Sequence, residues 1–417
     1  MKNYKFKSAC VIGLGYVGLP TAAILASYGL DILGVDQDPI TVDLINNGKT
    51  RIIEPDLEQL VQGVLEKGNF RADIKPGPAN AFIIAVPTPF SEGFKPDLHH
   101  VKEAIESLSE YLTKGDLIVI ESTCPVGTTN QVCHWLSDLR KDLKFPHIYG
   151  ADADINISHS PERVLPGNIL SELKNNDRVI GGVSRECAER TEALYKIVIK
   201  GNCLLTNART AELVKLAENA FRDVNIAFAN ELALICEKLN IDPWEAIELA
   251  NRHPRVNILN PGPGVGGHCI AVDPWFLVHS APHLTPLIKS ARKINDGKPL
   301  KIAKKILSAA KSFKKPVIAC FGLAYKNDIA DIRESPAIKI VNELAISKEI
   351  EILIVEPYLH TLPKPLLGLK KLKLVNENEA LKRAQLVALL TDHNAFESID
   401  KTKLASKLIF DTRGLWR

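Results

Sequence analysis

A glycine-rich segment from Asn260 to Asp273 carries the side chains best suited to covalent chemistry. It reads NPGPGVGGHCIAVD and presents one thiol, Cys269, after four closely spaced glycines. Glycine at that density lets a backbone approach a ligand closely. A thiolate is a nucleophile, although a buried and inert cysteine is the commoner fate of this residue. Cys269 is therefore a candidate nucleophile, provided that the rest of the chain supplies a cofactor, a base and a substrate.

A motif near the N-terminus predicts a dinucleotide site. Gly13, Gly15 and Gly18 follow a short apolar strand and open a helix rich in alanine and leucine. In this fingerprint the first glycine makes the turn, the second admits the pyrophosphate and the third lets helix and strand pack closely. The next strand ends at Asp36. Its carboxylate suits the ribose hydroxyls of NAD and would repel the 2′-phosphate of NADP, so NAD is the predicted cofactor.

Polar residues follow two further predicted strands. AFIIAVP (81–87) is followed by Thr88, and DLIVIEST (116–123) ends in Thr123. Because the carboxyl ends of parallel strands line the ligand crevice, both threonines are candidates for contact with cofactor or substrate. The alternative is that each hydroxyl only satisfies backbone groups of a turn. Downstream, the loop SPERVLPG places Glu162 and Arg163 side by side.

The middle of the chain is predicted to be helical. A long helix over 208–239 carries Lys215, Asn219 and Arg222 on one face, because their spacing is i, i+4 and i+7. From the pattern alone we expect a solvated face, and the alternative is a polar strip that points into a cleft. A shorter helix, 242–254, leads into the glycine-rich segment.

The order of strands and helices predicts an α/β protein with three parts. These are an N-terminal Rossmann domain over 1–205, a central helical domain over 206–313, and a smaller doubly wound α/β domain over 314–417. The third part lacks a GxGxxG motif of its own.

Composition excludes several classes of protein. A net charge of +3, with 46% apolar and 24% charged residues, gives no reason to expect nucleic acid or an anionic membrane as partner. The eight cysteines show no CxxC pairs or metal-ligand spacing, so we expect reduced thiols, a cytoplasmic location and no metal. The uncharged run from Ser8 to Leu30 is interrupted by glycines and by Pro20, which argues against a signal peptide or membrane anchor.

Taken together, these motifs resemble the nucleotide-sugar 6-dehydrogenases, the family of UDP-glucose and GDP-mannose dehydrogenases. The segments that carry the resemblance run in order along the chain: VIGLGYVGLP, VPTP, ESTCPVG, SPERVLPG, KLAENAFRDVNIAFANEL, PGPGVGGHCIAVDP and AYKNDIADIRESPA. The resemblance implies two successive hydride transfers to NAD from the C6 alcohol of a nucleotide-linked sugar, in the synthesis of surface polysaccharide. The segments look most like those of members that act on UDP-N-acetyl-D-mannosamine. UDP-N-acetylglucosamine or another nucleotide sugar is the alternative substrate.

By matching positions, the resemblance also implies the site residues. The implied catalytic residues are Cys269, Lys215, Asn219, Asp273, Glu162 and Thr123. The implied NAD contacts are Gly13, Gly15, Tyr16, Val17, Gly18, Asp36, Thr88, Thr123 and Arg333. The implied contacts to the UDP-sugar are Arg163, Val164, Lys215, Asn219, Arg222, His253, Arg255, Gly266, Tyr325 and Lys326. Cys269 would form a thiohemiacetal and then a thioester with the sugar.

Assembly and specificity are likewise implied by the resemblance. The expected partner is a second copy of the chain, with the long helix as the dimer spine and Arg255 contributed across the interface. The C-terminal domain is expected to bind the UDP part. Arg163 and His268 depart from the pattern of UDP-glucose enzymes and fit a pocket enlarged for an N-acetyl group.

Two more distant functions are weighed against this one. A two-electron hydroxyacid dehydrogenase would need neither Cys269 nor the residues after Pro316. A non-catalytic regulator that binds NAD or a nucleotide would be expected to have lost site residues, whereas Lys215, Asn219 and Asp273 are all present.

Overall fold

The computed structural model describes residues 4–91, 93–267, 269–347 and 349–417. The chain forms two compact units. The N-terminal unit comprises Met1–Glu218 and Trp275–Ser280, and the C-terminal unit comprises Asn219–Pro274 and Ala281–Arg417. The domain boundaries expected from the sequence, at 205/206 and 313/314, stay a prediction. Within the described ranges, no helix is long and apolar enough to cross a membrane.

The N-terminal unit is built on an eight-stranded sheet. Its chain contains strands β1 Ser8–Ile12, β2 Asp31–Val35, β3 Phe70–Asp73, β4 Ala81–Ile84, β5 Phe90–Ser91, β6 Lys95–Pro96, β7 Leu117–Ile120, β8 Asn156–His159, β9 Arg178–Gly182 and β10 Cys203–Asn207. The sheet has the order β10-β9-β8-β7-β4-β1-β2-β3, and β5 pairs with β6 in a separate hairpin. All neighbours are parallel except β8 and β9, which run antiparallel. The expected parallel Rossmann sheet is therefore confirmed, with one reversed pair that the sequence pattern did not indicate.

Helices cover both faces of this sheet because its strands are apolar on both sides. They are α1 Gly18–Ser27, α2 Pro39–Asn46, α3 Leu57–Glu66, α4 His99–Leu108, α5 Thr128–Leu139, α6 Pro146–Tyr149, α7 Ile169–Asn175 and α8 Arg185–Tyr195. One buried cluster joins α1 and α3 to the sheet, and a second joins α4 and α5 to the other face.

Four helices follow in the middle of the chain: α9 Ala208–Leu239, α10 Pro243–Ala250, α11 Asp273–Ser280 and α12 Pro286–Ala310. The long helix α9 has the predicted bounds. The side chain of Asp242 accepts a hydrogen bond from the backbone N–H of Trp244 and so caps α10, with Pro243 in the first turn. α12 contains Pro299 in its interior.

The rest of the C-terminal unit holds a five-stranded parallel sheet. Its elements are β11 Val317–Phe321, α13 Pro336–Ala345, β12 Glu351–Val355, β13 Leu372–Leu374, α14 Glu377–Arg383, β14 Leu386–Leu389, α15 Lys401–Leu404 and β15 Leu408–Asp411. The order β13-β12-β11-β14-β15 is the order 3-2-1-4-5. The first five strands of the N-terminal sheet follow the same order, as β3-β2-β1-β4-β7. The predicted doubly wound C-terminal part is confirmed.

Candidate active site

The glycine turn after β1 has the close contacts that the dinucleotide fingerprint requires. Gly13 has φ +95°, and a methyl group on it would lie 2.6 Å from the carbonyl oxygen of Ala85. A methyl group on Gly18 would collide with the carbonyl oxygen of Gly13, so the start of α1 packs directly on the turn. Gly15 is exposed and has nothing within 4 Å of its missing side chain. The turn therefore fits a dinucleotide, because its backbone is open at the position where the pyrophosphate approaches.

Asp36 fastens this turn. One carboxylate oxygen accepts a hydrogen bond from the backbone N–H of Leu14, at 3.0 Å, and the other accepts one from Asp38, also at 3.0 Å. Asp36 is half-buried, as are Tyr16 and Val17 within the turn. The carboxylate proposed to receive the ribose thus also holds the backbone that receives the pyrophosphate.

The two threonines at the strand ends lie together. The Thr88 hydroxyl donates to the carbonyl oxygen of Thr123 at 2.5 Å. Thr88 is buried and Thr123 is half-buried. The Thr88 hydroxyl therefore does satisfy a backbone carbonyl, as the alternative interpretation predicted. This hydrogen bond links the loop after β4 to the loop after β7.

Glu162 and Arg163 have different surroundings despite their adjacency. Glu162 is buried, and burial raises the pKa of its carboxyl, against the opposing charges of Lys215 and Arg178. Arg163 instead pairs with Glu218 on α9, at 2.7 Å. Glu162 thus has the perturbed, enclosed environment that is typical of proton-transfer groups.

A buried network that the sequence analysis missed lies beside Glu162. Arg178 bonds to the Glu121 carboxylate and to the Ser160 hydroxyl, the latter at 2.8 Å. Tyr195 donates to the same Glu121 oxygen at 2.6 Å. Glu121 directly follows the apolar strand β7. A carboxylate at the end of an apolar strand was the sequence signal that could have indicated a buried charge pair. The network holds the start of the SPER loop in place.

Lys215 is half-buried on α9 and close enough to perturb His159 at the end of β8. Burial, together with the charges of Lys215 and Arg178, lowers the pKa of His159 to about 3. His159 is therefore neutral at physiological pH, so it adds no second positive charge beside Lys215.

The expectation of a solvated face on α9 is wrong for the middle of that face. Asn219 is buried, and its Nδ2 donates to Oδ2 of buried Asp273 at 2.5 Å. Arg222, three residues further on, is exposed. On α9, the amide of Asn219 thus faces the carboxylate of Asp273 at the start of α11. The guanidinium of Arg222 is exposed to solvent.

Cys269 differs from the other cysteines in exposure. Six of the eight are buried, Cys203 is intermediate and Cys269 is exposed. Burial raises the pKa of Cys10 to about 11 and that of Cys320 to about 12, which keeps those thiols protonated. The backbone N–H of Asp273 donates to the Cys269 carbonyl at 2.8 Å. A single turn therefore connects the accessible thiol to the carboxylate held by α9.

Two glycines of this segment make room for Tyr325. A methyl group on Gly266 would lie 2.6 Å from Cβ of Tyr325, and one on Gly267 would lie 2.8 Å from its ring. Gly267 also has φ +82°, and its N–H donates to the Arg333 carbonyl at 2.9 Å. These glycines thus bring the segment against the loop after β11, which carries two predicted substrate contacts, Tyr325 and Lys326.

The remaining predicted residues have the following places. The Arg333 guanidinium pairs with Asp331 at 2.6 Å. His253 and Arg255 are exposed after α10, where Nδ1 of His253 accepts from the Arg255 backbone at 3.3 Å. Val164 is half-buried in the SPER loop, and His268 lies outside the described residues.

Arg413 is a further cation that the sequence analysis missed. One of its N–H groups would lie 2.9 Å from a methyl group on Gly262, and another donates to the Tyr325 carbonyl at 3.5 Å. It therefore touches both the glycine-rich segment and the Tyr325 loop. No motif near the C-terminus indicated this, because the contact depends on the packing of β15.

The C-terminal sheet repeats the fastened turn of the N-terminal one. Gly322 has φ +88°, and its N–H donates to the Val355 carbonyl at 2.9 Å. The next N–H, of Leu323, donates to the Glu356 carboxylate at 2.6 Å. In the N-terminal unit, the corresponding bonds run from residues 13 and 14 to residues 35 and 36.

Glu356 is buried, whereas Asp36 is half-buried, and Glu356 also has a side-chain partner. Nε2 of buried His393 lies 3.2 Å from the oxygen that Leu323 bonds, and the Tyr358 N–H donates to the other oxygen at 3.1 Å. The backbone N–H of Asp328 donates to Nδ1 of His393 at 2.9 Å. The imidazole therefore carries its proton on Nε2 and donates it to Glu356.

Comparison with known proteins gives a consistent result along the chain. Residues 7–199 match the NAD binding domain of the UDP-glucose/GDP-mannose dehydrogenase family, 209–297 match its central domain, and 319–417 match its UDP binding domain. The chain is 52% identical to the NDP-N-acetyl-D-galactosaminuronic acid dehydrogenase of Ralstonia nicotianae over 99% of this chain and 96% of that protein. It is also 52% identical to the UDP-N-acetyl-D-mannosamine dehydrogenase of Campylobacter jejuni, over 96% and 99%. The solved structure of the UDP-D-ManNAc dehydrogenase of Pyrococcus horikoshii superimposes with a TM-score of 0.89 at 38% identity, over 98% and 96% of the two chains.

Proposed function

This chain belongs to the UDP-glucose/GDP-mannose dehydrogenase family, and we propose that it oxidises the C6 alcohol of UDP-N-acetyl-D-mannosamine to the carboxylate. The observation that carries the proposal is the exposed Cys269, one turn before an Asp273 that is held by Asn219. Two relatives, 52% and 51% identical over 96% and 99% of this chain, are named UDP-N-acetyl-D-mannosamine dehydrogenase. The family's UDP binding domain at 319–417 supports a nucleotide sugar over a small hydroxyacid.

NAD, when bound, accepts one hydride in each of the two oxidations, and the turn at Gly13 to Gly18 with Asp36 is the proposed place for it. The protein supplies the nucleophile. An aldehyde has no second hydride to give until a nucleophile adds to its carbonyl carbon. The Cys269 thiolate would add there to form a thiohemiacetal, whose oxidation gives a thioester. Water then cleaves the thioester to the carboxylate and restores the thiol.

The other catalytic residues have environments that suit their proposed roles. Lys215 brings a positive charge beside a neutral histidine, so it can stabilise an alkoxide. Asp273 is oriented by Asn219 and would accept a hydrogen bond from a water molecule. Thr123 is proposed to hold a water molecule through its hydroxyl. The raised pKa of Glu162 suits a group that takes up and releases a proton during thioester hydrolysis.

We further propose the predicted NAD and UDP-sugar contacts, with Arg413 added to the second group. Its contacts to Gly262 and Tyr325 support this addition. Arg163 would have to exchange its partner Glu218 for the substrate. The three-domain division at 205/206 and 313/314 belongs to the same proposal.

A homodimer is proposed on the basis of an apolar stripe along α9. Phe221, Phe228 and Ile235 recur at seven-residue spacing and are 68%, 55% and 49% exposed. Such a stripe on a helix is typical of a face that packs against another helix. Exposed Arg255 would then be the residue contributed to the partner's site. We also propose a cytoplasmic location, because a nucleophilic Cys269 must stay reduced.

A second candidate substrate is a nucleotide-linked N-acetylgalactosamine. It is favoured by the 52% identity to an NDP-N-acetyl-D-galactosaminuronic acid dehydrogenase over nearly the full length. UDP-N-acetylglucosamine is the third sugar to be tested.

The deciding experiment incubates the protein with NAD and, in separate reactions, with UDP-N-acetyl-D-mannosamine, UDP-N-acetylgalactosamine, UDP-N-acetylglucosamine and GDP-mannose. We expect the highest kcat/KM with UDP-N-acetyl-D-mannosamine, two NADH per sugar, and a product heavier than the substrate by one oxygen less two hydrogens. One NADH per sugar would contradict the four-electron reaction. The Cys269→Ala variant should make no acid, and acid formation at the wild-type rate would refute the thioester mechanism.

A further inference from the structure

Two asparagines of α9 that have no part in the proposed chemistry hold the chain just ahead of the catalytic cysteine. Asn225 accepts a hydrogen bond from the backbone N–H of Leu259 at 2.9 Å and donates to the carbonyl of Asn257 at 3.0 Å. Asn230 accepts from the backbone N–H of Gly262 at 2.9 Å. The chain at 257–262 is therefore bonded to side chains of the helix, although residues 256–267 lie outside any helix or strand.

Asn230 is the end of a buried chain of hydrogen bonds. Its Nδ2 donates to Oδ1 of Asn295 on α12 at 3.0 Å. Nδ2 of Asn295 donates in turn to the backbone carbonyl and the carboxylate of Asp223, at 3.0 and 2.8 Å. Arg292 donates to the same carboxylate at 2.6 Å. All four side chains are at most 1% exposed, so water does not replace these bonds.

The ends of the chain fix the direction of every bond in it. The N–H of Gly262 can only donate, and the backbone carbonyl of Asp223 can only accept. Asn230 must therefore accept on one side and donate on the other, as must Asn295. An amide meets this requirement, whereas an ionised carboxylate of the same shape cannot donate.

The segment makes a second contact with α12 next to Asn295. Pro299 has no N–H to donate to the Asn295 carbonyl, four residues before it. A methyl group on Gly264 would lie 3.1 Å from that carbonyl oxygen and 3.2 Å from the Pro299 ring. Gly264 has φ +141°, so the chain fits there only without a side chain.

From these contacts we propose that Asn230, supported by Asn295, is a positioning residue that sets the place of the glycine-rich segment and hence of Cys269. It acts through the backbone at Gly262 and is not among the residues proposed to contact substrate or cofactor. The inference rests on the proposed function only for the chemical role of Cys269.

The test is Asn230→Asp, which keeps the shape and the acceptor for Gly262 but sets a carboxylate against Oδ1 of Asn295. Hydrogen–deuterium exchange is measured on peptides from 257–267, with steady-state kinetics on the same samples. We expect exchange in this segment to rise at least about fivefold and kcat to fall at least about tenfold. KM for NAD should stay within about twofold, because the dinucleotide turn belongs to the other unit.

Two controls separate positioning from general destabilisation. Asn342→Asp makes the same substitution at a half-buried place on α13. Leu344→Ala opens a cavity in the C-terminal core and lowers the melting temperature without touching the segment. If Asn230→Asp does not fold, Asn225→Ala is measured instead, with the rise in exchange expected around 257–259.

Unchanged exchange at 257–267 would overturn the proposal. So would an equal rise throughout the C-terminal unit, or the same loss of kcat in Leu344→Ala at an equal melting temperature. Exchange is measured without substrate, so this result stands whatever the sugar panel shows. A failure of the proposed function would appear separately, as a wild-type protein that does not form two NADH per sugar.

Discussion

Asn219 and Asp273 are joined by a hydrogen bond of 2.5 Å between two buried side chains, one on α9 and one at the start of α11. The amide N–H faces the carboxylate, so the aspartate is oriented by a neutral donor. A carboxylate that is fixed in this way can accept a proton or a water hydrogen in a defined direction. The identity of residue 219 therefore decides whether Oδ2 of Asp273 faces a hydrogen-bond donor.

Replacing Asn219 by Asp should make activity depend on pH in a new way. Two carboxyl groups at this distance cannot both ionise, so one pKa rises. We expect kcat at pH 8 to fall by about 100-fold, the effect of losing one oriented donor, and to recover partly as the pH is lowered and one carboxyl is protonated. The measurement is kcat between pH 5.5 and 9. A loss of the same factor at every pH would show that repulsion between carboxylates is not the cause.

Glu162→Gln should increase stability at neutral pH. Burial raises the pKa of Glu162 in the folded state above the ordinary 4.5. The carboxyl therefore favours folding below its unfolded pKa, and this contribution is lost as the pH rises through the folded pKa. Glutamine has no such loss. Thermal unfolding should show a higher melting temperature for the variant at pH 7–8, by roughly 2–4 °C for each kcal/mol gained. The difference should vanish near pH 4, and a constant difference at all pH values would contradict this explanation.

Asp36 should show two separable functions. Asp36→Ala removes both the charge and the acceptor for the Leu14 N–H, whereas Asp36→Asn keeps an acceptor. An unsatisfied backbone N–H costs about 1–3 kcal/mol. We expect NADH affinity to fall by at least about tenfold more in Asp36→Ala than in Asp36→Asn. Both variants should bind NADPH better relative to NADH. Fluorescence titration with the two nucleotides checks this, and equal losses in the two variants would exclude a role for Asp36 in fastening the turn.

Phe228→Asp should dissociate the proposed dimer. A charge in the middle of the apolar stripe on α9 would be buried without a partner in a helix–helix interface. Sedimentation velocity should show a wild-type dimer at micromolar concentration and a monomer for the variant. Phe94→Asp is the control, because Phe94 is also exposed and lies far from the stripe in sequence. A wild-type monomer, or a variant that remains dimeric, would remove the stripe as the interface.

Sequence patterns predicted the elements whose signals are local. The bounds of α9 and the fingerprint from Gly13 to Asp36 both depend on residues close in the chain. The pattern could not tell which side of α9 is covered. Periodicity shows that Lys215 and Asn219 share a face, but burial of that face depends on distant residues such as Asp273.

The missed features are of the same kind. Arg178 and Glu121 are 57 residues apart, and their bond exists because β7, β8 and β9 are neighbours in the sheet. Gly266 was expected to serve a ligand, yet in the structure its missing side chain also makes room for Tyr325. A glycine indicates that another group approaches the backbone closely, but it does not show whether that group is a ligand or a side chain of the protein.

The hydrogen-bond partners of Glu356 limit whether the C-terminal sheet could be engineered to bind a dinucleotide. Its strand order and its glycine turn are the same as those of the N-terminal sheet. One could therefore try to create a second dinucleotide site there by inserting the missing glycines. Such a graft should fail, because Glu356 is buried and already accepts from the N–H groups of Leu323, Ala324 and Tyr358 and from His393. Asp36, in contrast, is half-buried and accepts from the N–H groups of Leu14 and Asp38. Deleting His393 would not release the carboxylate for a ligand, since it would leave a buried charge with its donor removed. The two sheets therefore share strand order and turn geometry without sharing a ligand site. Moving a dinucleotide site to the C-terminal sheet would require replacing the buried residues around Glu356 as well.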